Sequence, residues 1–441
     1  MERASGVLLP IFSLPGRFAG GTLGASAYRF VDLVASAGFS LWQTLPITPP
    51  DGYGSPYAGR TSFAADERLV DPDLFVEEGL LDGGEVADGI HGELIGKAAG
   101  RAPRAALDQY LHEHPETAAV CRYMAGSDEE IYRRAFVQFA FDRQWRSLCQ
   151  HAHARGVRLI GDLPIYVAPG SIDAALFPEA FAASGDVAGV PPDDFCPEGQ
   201  VWGNPLYDWG GMAADGYSFF RKRLAYLLAR FDGVRLDHFR GYASYYSIPP
   251  GAPATAGRWE MGPGRSLFDG VQDLLAGRLV VAEDLGCIDG DTEALRRECG
   301  LLSTRVLQFG FHGDSESPHL PHRISEDTAF YTGTHDNAPL RAFLEHAPDG
   351  ERKRFYEYCR ASSPEDAVLA GARTLLASRA SLAILPVQDL LSLGEEGRIN
   401  TPGRAEGNWS FRLTEEMLEA IDLDLWRGYN KEYRRMEKST S

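Results

Sequence analysis

The sequence predicts an α/β protein, a (β/α)8 TIM barrel with inserted helices and long loops over its C-terminal mouth. Short apolar runs recur eight times, helical patterns separate most of them, and acidic residues follow several. Near-continuous apolar runs are typical of parallel strands buried on both faces. The eight runs are "GVLLPIFSLPG" (6–16), "FSLWQTLPITPP" (39–50), "VRLIGDLPIYV" (157–167), "DGVRLDHFRG" (232–241), "RLVVAEDLG" (278–286), "TRVLQFGFHG" (304–313), "AFYTGTHDN" (329–337) and "SLAILPVQDLL" (381–391).

The segments between these runs carry helical patterns, most clearly at residues 129–156 and 217–231. Eight strands that alternate with helices favour one closed core over several domains. An open, doubly wound sheet is the alternative, because the strand count alone does not exclude it. No phosphate-loop signature supports that alternative.

We interpret residues 1–441 as a single catalytic barrel with insertions. Residues 50–155 lie between the second and third predicted strands and are far more than a βα unit needs. They predict an inserted, mostly helical subdomain. Residues 186–210 and 242–265 are rich in Gly, Pro and aromatic residues, and we interpret them as active-site loops over the barrel mouth.

Composition and charge indicate which kinds of binding partner and which cellular compartment to expect. The net charge is -19 and the isoelectric point is near 5.0, so no basic excess exists to bind nucleic acid or an anionic membrane. The six cysteines include no CxxC pair, which favours a reducing compartment. The N-terminus is a poor signal peptide, and no apolar run approaches membrane-spanning length. We expect a cytoplasmic monomer or weak homo-oligomer.

Acidic residues stand at the C-terminal ends of the predicted strands, where a barrel carries its chemistry. They are Asp162, Asp237, Glu283 with Asp284, Asp336 and Asp389. A single Asp at a strand end is most often a helix cap. Several on one mouth indicate function, because gathering like charges costs free energy.

Two chemistries use such a cluster. One is a divalent metal site, and the other is glycoside chemistry with a nucleophilic and a protonated carboxyl group. An enolase-type metal site would add a Lys or His base, and no predicted strand end carries a Lys. Aromatic and amide side chains in the loops favour a sugar groove instead. These are Tyr53, Tyr57, Phe195, Trp202, Tyr207 and Trp209, beside Gln200 and Asn204.

The motifs resemble those of the 4-α-glucanotransferases known as amylomaltases or disproportionating enzymes, glycoside hydrolase family 77. The resemblance extends from "LLPIFSLPG" to "AEGNW", nearly the whole chain. Its motifs are "GDLPIYVA" (161–168), "GVPPD" (189–193), "GQVWGNPLYDW" (199–209), "RLDHFRG" (235–241), "AEDLG" (282–286), "YTGTHDN" (331–337), "LPVQDLL" (385–391) and "INTPGRAEGNW" (399–409). It implies transfer of α-1,4-glucan segments between maltooligosaccharides, with no cofactor and no metal.

The resemblance implies a role for each of three carboxylates. Asp237 matches the nucleophile, which forms a covalent glucosyl-enzyme. Glu283 matches the general acid/base, whose pKa a nearby charged Asp237 and partial desolvation would raise. Asp336 matches the third carboxylate, which holds the sugar's 2- and 3-hydroxyls.

Further residues match substrate contacts. Arg235 lies two residues before Asp237 on the same strand face, where a fixed cation keeps the nucleophile ionised. His238 and His335 match histidines that hydrogen-bond the sugar. Four more residues are candidate sugar contacts. They are Tyr57 at the donor sugar, Trp202 in the loop that covers the acceptor side, Gln200 and Asn400. We expect Asp162, Asp284 and Asp389 to be structural.

The sequence departs from the family pattern in segments that we expect to line the groove. "YGSPYAG" stands where the family commonly reads "GDSPYQ", which puts Ala58 in place of Gln. The other departures are Pro169–Gly170, Cys196 and Ala338–Pro339. None removes a catalytic carboxylate, but they affect donor preference, acceptor preference and the balance with hydrolysis. An α-glucan hydrolase, a non-catalytic glucan-binding protein and a metal-dependent lyase or isomerase are the alternative functions.

Overall fold

Eight parallel strands close into a barrel, which confirms the predicted (β/α)8 fold. The computed structural model describes residues 3–192, 197–286, 288–313, 316–404 and 406–436. The barrel strands are β1 (Ala4–Leu8), β2 (Leu41–Gln43), β3 (Arg158–Leu163), β6 (Gly233–Leu236), β9 (Leu279–Ala282), β10 (Leu302–Val306), β11 (Thr328–Tyr331) and β12 (Leu382–Pro386). Their order around the barrel is β1-β12-β11-β10-β9-β6-β3-β2.

Each predicted run contains residues of one barrel strand, but several runs extend well past the strand end. The run at 6–16 overlaps β1 only at its start, because Pro10 lacks an N–H for the ladder and a 3-10 turn follows at Ile11–Ser13. Inward-facing apolar side chains fill the barrel interior, among them Leu41, Ile160 and Tyr331. The barrel is therefore a packed core, and its chemistry is confined to the ends.

Helices surround the barrel and fill the longer connections. The α-helices before β3 are α1 (Ala25–Ser36), α2 (Leu74–Glu77), α3 (Gly83–Ala87), α4 (His91–Arg101), α5 (Arg104–Glu113), α6 (Pro115–Met124) and α7 (Asp128–His153). Those between β3 and β9 are α8 (Ile172–Leu176), α9 (Trp209–Ala214), α10 (Ser218–Leu228), α11 (Arg240–Ala243), α12 (Arg265–Gly270) and α13 (Gln272–Leu275). Those after β9 are α14 (Gly290–Glu298), α15 (Leu340–His346), α16 (Asp349–Cys359), α17 (Ala367–Ala377), α18 (Val387–Leu390), α19 (Glu415–Glu419) and α20 (Leu423–Glu432).

The two segments interpreted as loops, 186–210 and 242–265, instead contribute a small antiparallel sheet. Its strands are β4 (Val187–Val190), β5 (Gln200–Pro205), β7 (Ser244–Ile248) and β8 (Arg258–Met261), in the order β5-β4-β7-β8. Gly and Pro obscured the strand pattern, yet Gly189 pairs closely with β5: a Cβ there would lie 2.2 Å from the Gln200 carbonyl oxygen. Only glycine permits that approach, so its presence marks a strand contact here.

The two ends of the chain meet at the N-terminal end of the barrel. Strand β1 pairs in parallel with β12, with Ala4 opposite Leu382. The buried Arg435 guanidinium donates to the carbonyl oxygens of Ala4, at 3.2 Å, and Ser378, at 3.0 Å. The Ser5 hydroxyl donates to the Asn430 side chain. The C-terminal segment thus fastens the seam between the first and last strands.

Candidate active site

A cavity of about 540 Å³ opens at the C-terminal mouth of the barrel. All ten residues predicted as catalytic or substrate-binding line it, together with further polar and aromatic side chains. The ten are Tyr57, Gln200, Trp202, Arg235, Asp237, His238, Glu283, His335, Asp336 and Asn400. Residues more than 340 positions apart in sequence therefore share one groove.

Asp237 follows β6 and is held by a buried cation. Its Oδ1 accepts a hydrogen bond of 3.0 Å from Arg235 Nη1. The same Nη1 donates to both carboxylate oxygens of Asp162, at 2.9 and 2.8 Å. The side chain of Asp237 is 24% exposed and that of Asp162 is 0% exposed, so Asp237 is the carboxylate that a ligand can reach.

Glu283 follows β9, which pairs with β6, and it lies partly buried beside Asp237. Its Oε2 accepts a hydrogen bond of 2.7 Å from the backbone N–H of His238. Burial raises the pKa of Glu283 well above its usual range, and the negative charges of Asp237 and Asp336 add to the rise, while Arg235 and the His238 N–H oppose it. Glu283 is thus a carboxyl group that keeps its proton to higher pH than an ordinary glutamate does.

Asp336 follows β11 and is oriented by two neighbours. Asn400 Nδ2 donates to its Oδ1 at 2.6 Å, and His335 Nε2 lies 3.3 Å from its Oδ2. The backbone N–H of Asn400 also donates to the His335 carbonyl oxygen at 3.1 Å. Asn400 therefore contacts this carboxylate directly, in addition to lining the cavity.

Aromatic rings form one wall of the cavity. The Tyr57 ring stacks on the His335 ring with centroids 4.9 Å apart and planes 11° apart. Trp409 packs against both, with centroids 6.0 Å from Tyr57 and 6.1 Å from His335. The Tyr57 hydroxyl donates to Asp162 Oδ2 at 2.8 Å, which links this wall to the Arg235 cluster.

The small sheet contributes residues of β5 to the lining of the cavity. Trp202 packs edge-to-face on His238 with centroids 4.8 Å apart, and its indole N–H donates to Gln200 Oε1 at 3.1 Å. Asn204 Nδ2 donates to the Val167 carbonyl oxygen at 2.8 Å. Burial lowers the pKa of His238 to about 4, so its ring is neutral at physiological pH.

Sequence reasoning missed part of the lining. Trp409 and Asn408 lie in "AEGNW", which contributed only to the resemblance, and no alternating pattern marks their loop. Arg404 and Tyr166 also line the cavity. A Gly/Pro-rich loop after the last strand was the available signal, since loops at this end of a barrel carry function.

Two loop aromatics predicted as candidates for the sugar groove are not part of the lining. Tyr207 and Trp209 are buried, and the Tyr207 hydroxyl donates to the Ile165 carbonyl oxygen at 2.8 Å. They pack beneath the mouth because a neighbouring phenylalanine cluster, including Phe219, encloses them. Phe195 lies outside the described residues.

The residues that depart from the family pattern do not all line the cavity. Ala58 and Pro169 line the cavity. Ala338 and Pro339 do not, contrary to expectation, because the chain turns there into α15 and the Ala338 carbonyl oxygen accepts from Gln308. Cys196 lies outside the described residues.

The three carboxylates expected to be structural, Asp162, Asp284 and Asp389, accept hydrogen bonds from neighbouring groups. Asp284 accepts from Ser303 Oγ and from the Thr304 N–H, at 2.7 Å each. Asp389 accepts from the Thr332 hydroxyl and from the Leu340 N–H. Asp162 differs from them, because it neutralises the arginine that holds Asp237.

Two kinds of feature are absent from the described residues. No group of three or more His, Cys, Asp or Glu side chains is placed to hold a metal ion. None of the described helices combines the length and apolarity needed to cross a membrane.

Comparison with known proteins shows what the chain is similar to. A family model described as 4-alpha-glucanotransferase, glycoside hydrolase family 77, matches residues 9–95 and 93–418. A 4-alpha-glucanotransferase of Aquifex aeolicus is 37% identical over 466 residues, which cover 94% of this chain and 96% of the relative. That of Thermus thermophilus is 36% identical over 476 residues, covering 94% and 95%.

Solved structures agree with these relatives. The amylomaltase of Streptococcus agalactiae in complex with acarbose superposes with a TM-score of 0.94 at 29% identity, covering 99% of this chain and 100% of the other. The amylomaltase of Corynebacterium glutamicum shares the fold, with a TM-score of 0.79 at 17% identity, covering 98% of this chain and 75% of the other. Fold, cavity and relatives together define a carbohydrate-active barrel enzyme. The chain belongs to glycoside hydrolase family 77, the 4-α-glucanotransferases.

Proposed function

We propose that this chain moves α-1,4-glucan segments between maltodextrins by a retaining double displacement. The observation that carries the proposal is the pairing of two unlike carboxyl groups on adjacent strands. Arg235 Nη1 donates a hydrogen bond to Asp237, whereas burial and neighbouring negative charge raise the pKa of Glu283 well above its usual range. One carboxylate to attack and one acid to protonate is the pair that retaining glycoside chemistry needs.

In the first step an oxygen of Asp237 attacks the anomeric carbon and the glycosidic C–O bond breaks. The proton of Glu283 goes to the departing oxygen, so the leaving chain departs as an alcohol. In the second step Glu283 takes the proton of an acceptor 4-hydroxyl, whose oxygen displaces Asp237 from the anomeric carbon. Two inversions give net retention.

The remaining lining residues fit sugar binding. Asp336, oriented by Asn400, is a double acceptor suited to adjacent hydroxyl groups. Tyr57, Trp409 and Trp202 offer ring surfaces for the apolar faces of sugar rings in the groove. A 540 Å³ groove leaves room for sugars on both sides of the scissile bond.

Incubation with maltotriose is expected to yield glucose and a ladder of longer maltodextrins, because a second sugar chain accepts the glucosyl-enzyme. Chromatography of the products over time measures this. Glucose and maltose without longer products would identify an α-glucan hydrolase. Activity that a chelator removes and Mg²⁺ restores would instead identify the metal-dependent alternative.

The pH profile of transfer is expected to have an alkaline limb well above the usual range of a glutamate. Glu283 is active as the acid when protonated, so activity falls as pH rises through its raised pKa. Burial lowers the pKa values of both His238 and His335, which excludes them as the source of this limb. The residual activity of Glu283→Gln on maltotriose, the same donor as in wild type, should lack this limb. If it persists, another group is the acid.

A further inference from the structure

His238 has an unusual backbone conformation directly after the proposed nucleophile. Its φ is +44°, in the left-handed region that a residue with a Cβ rarely occupies. Such a conformation persists only when surrounding contacts impose it, and it is common at functional sites. The contacts around His238 therefore indicate what the turn achieves.

The turn directs two successive backbone N–H groups at one residue. The His238 N–H donates to Glu283 Oε2 at 2.7 Å, and the Phe239 N–H donates to the Glu283 carbonyl oxygen at 2.9 Å. The Glu283 N–H in turn donates to the Leu236 carbonyl oxygen at 3.0 Å. Side chain and main chain of Glu283 are thus both held by the segment that carries Asp237.

The side chain of His238 fixes the turn from the other side. Its ring packs edge-to-face against Trp202 on β5. Gly241 leaves room for this arrangement, because a Cβ there would lie 3.3 Å from His238 Cδ2 and 2.5 Å from Ile165 Cδ1. The ring is neutral at physiological pH, so packing rather than an ion pair holds it.

A second link ties the same turn to the loop that carries Glu283. Arg240 Nη2 lies 2.8 Å from Asp289 Oδ2, in the loop after Glu283. The Arg240 guanidinium also lies over the Trp259 ring of β8, 3.9 Å from its centroid. The segment 237–240 is therefore anchored both to the loop of Glu283 and to the small sheet.

We propose that His238 is a positioning residue for Glu283, acting through its main-chain N–H, with its ring locking the left-handed turn against Trp202. This inference rests on the proposed function, since it assigns Glu283 as the acid/base. It differs from the expected role of His238, a side-chain hydrogen bond to the sugar. The effect of a substitution at position 238 on activity should therefore depend on how readily the new residue adopts the left-handed backbone conformation.

Charged groups from several elements surround Glu283. Arg235 and Asp237 belong to β6 and its end, and Asp336 belongs to the loop after β11. Among these groups, the His238 N–H stabilises the carboxylate form of Glu283 through its hydrogen bond. Loss of that hydrogen bond is expected to raise the pKa of Glu283 further and move the alkaline limb to higher pH.

The test compares His238→Asn, His238→Gly, His238→Ala and His238→Val. Asn and Gly tolerate the left-handed region, Ala less so, and β-branched Val least. We expect Val to lower kcat on maltotriose about 100-fold below Asn, within the contribution of general acid catalysis. The kcat of His238→Ala should lie between those of the Asn and Val variants. His238→Ala therefore serves for the comparison if His238→Val folds poorly. The loss should shrink to less than about 10-fold on α-maltosyl fluoride, whose leaving group needs little protonation.

Arg360 provides the matched control. It has φ +56° at the C-terminal end of α16, is exposed, and lies outside the cavity lining. Arg360→Val should lower the unfolding midpoint relative to Arg360→Gly and leave the alkaline limb in place. The proposal is overturned if all four variants at position 238 raise KM to the same extent and leave the alkaline limb of the pH profile unmoved. That result would indicate a side-chain contact with the sugar. A wild-type protein that makes no ladder from maltotriose would reject the proposed function itself.

Discussion

Asp237→Asn is expected to reduce glucan transfer from maltotriose by at least about 10³-fold while the protein stays folded. The amide is close in size to the carboxylate and can still accept a hydrogen bond from Arg235, so the groove keeps its shape. It cannot form the covalent glucosyl intermediate, because an amide oxygen is a poor nucleophile. Initial rates and urea unfolding of the purified variant measure the two effects separately.

Asp232 offers a control at the opposite end of the same strand. Its carboxylate accepts from the Leu159 N–H at 2.8 Å and lies 2.9 Å from His153 Nε2. Asp232→Asn makes the same chemical change outside the cavity, so we expect a small loss of stability and little loss of rate. Unchanged glucan processing in Asp237→Asn would refute the nucleophile assignment.

Arg235→Met is expected to destabilise the protein by about 3–5 kcal/mol at alkaline pH, because it leaves carboxylates without their buried cation. The Arg235 side chain is 6% exposed and contacts both Asp162 and Asp237. Burial raises the pKa of Asp162 to about 7, and the Arg235 charge opposes that rise. Without Arg235, the folded protein should hold a proton on Asp162 to still higher pH.

The sign of the pH dependence follows from that proton. The unfolded chain releases it above about pH 4, so a higher pKa in the folded state costs stability as pH rises. The gap in unfolding free energy between wild type and Arg235→Met should therefore widen above pH 7, by at most about 1.4 kcal/mol per pH unit. Urea unfolding at a series of pH values measures the gap.

The double variant Arg235→Met/Asp162→Asn tests the cause. Its neutral amide does not titrate, and the Tyr57 hydroxyl can still donate to it. The widening above pH 7 should shrink in this variant to the part contributed by Glu283, whose pKa Arg235 also lowers. If the widening is undiminished, the coupling of Asp162 to Arg235 is not the source of the effect.

The barrel could be predicted because its strands are buried on both faces, which leaves continuous apolar runs such as the one over β6. Strand ends were harder to place. In β2 only Leu41–Gln43 forms the ladder, although the apolar run continues through a proline-rich stretch. The small sheet was missed because β4 and β5 contain Gly or Pro and because Gly- and Pro-rich residues flank β7 and β8, and such residues normally end a strand.

The cavity residues on strand ends could be predicted from position and charge, and the resemblance supplied their roles. Three-dimensional relations could not be predicted in this way. Nothing in the spacing indicates that Asp162 and Asp237 share one guanidinium, that Tyr57 stacks on His335, or that Trp409 returns to the same wall. These contacts depend on the closure of the barrel, which brings distant loops to one mouth.

The seam between β1 and β12 has a consequence for synthesis in the cell. Strand β1 leaves the ribosome well before its partner on one side, β12, which lies nearly 380 residues later. At ordinary translation rates one edge of β1 would wait unpaired for roughly 20 to 80 seconds. Arg435, whose guanidinium donates to the Ala4 carbonyl oxygen, emerges later than β12. The nascent chain therefore exposes one unpaired edge of β1 until β12 has emerged, and we expect chaperones that shield such edges to bind it during synthesis.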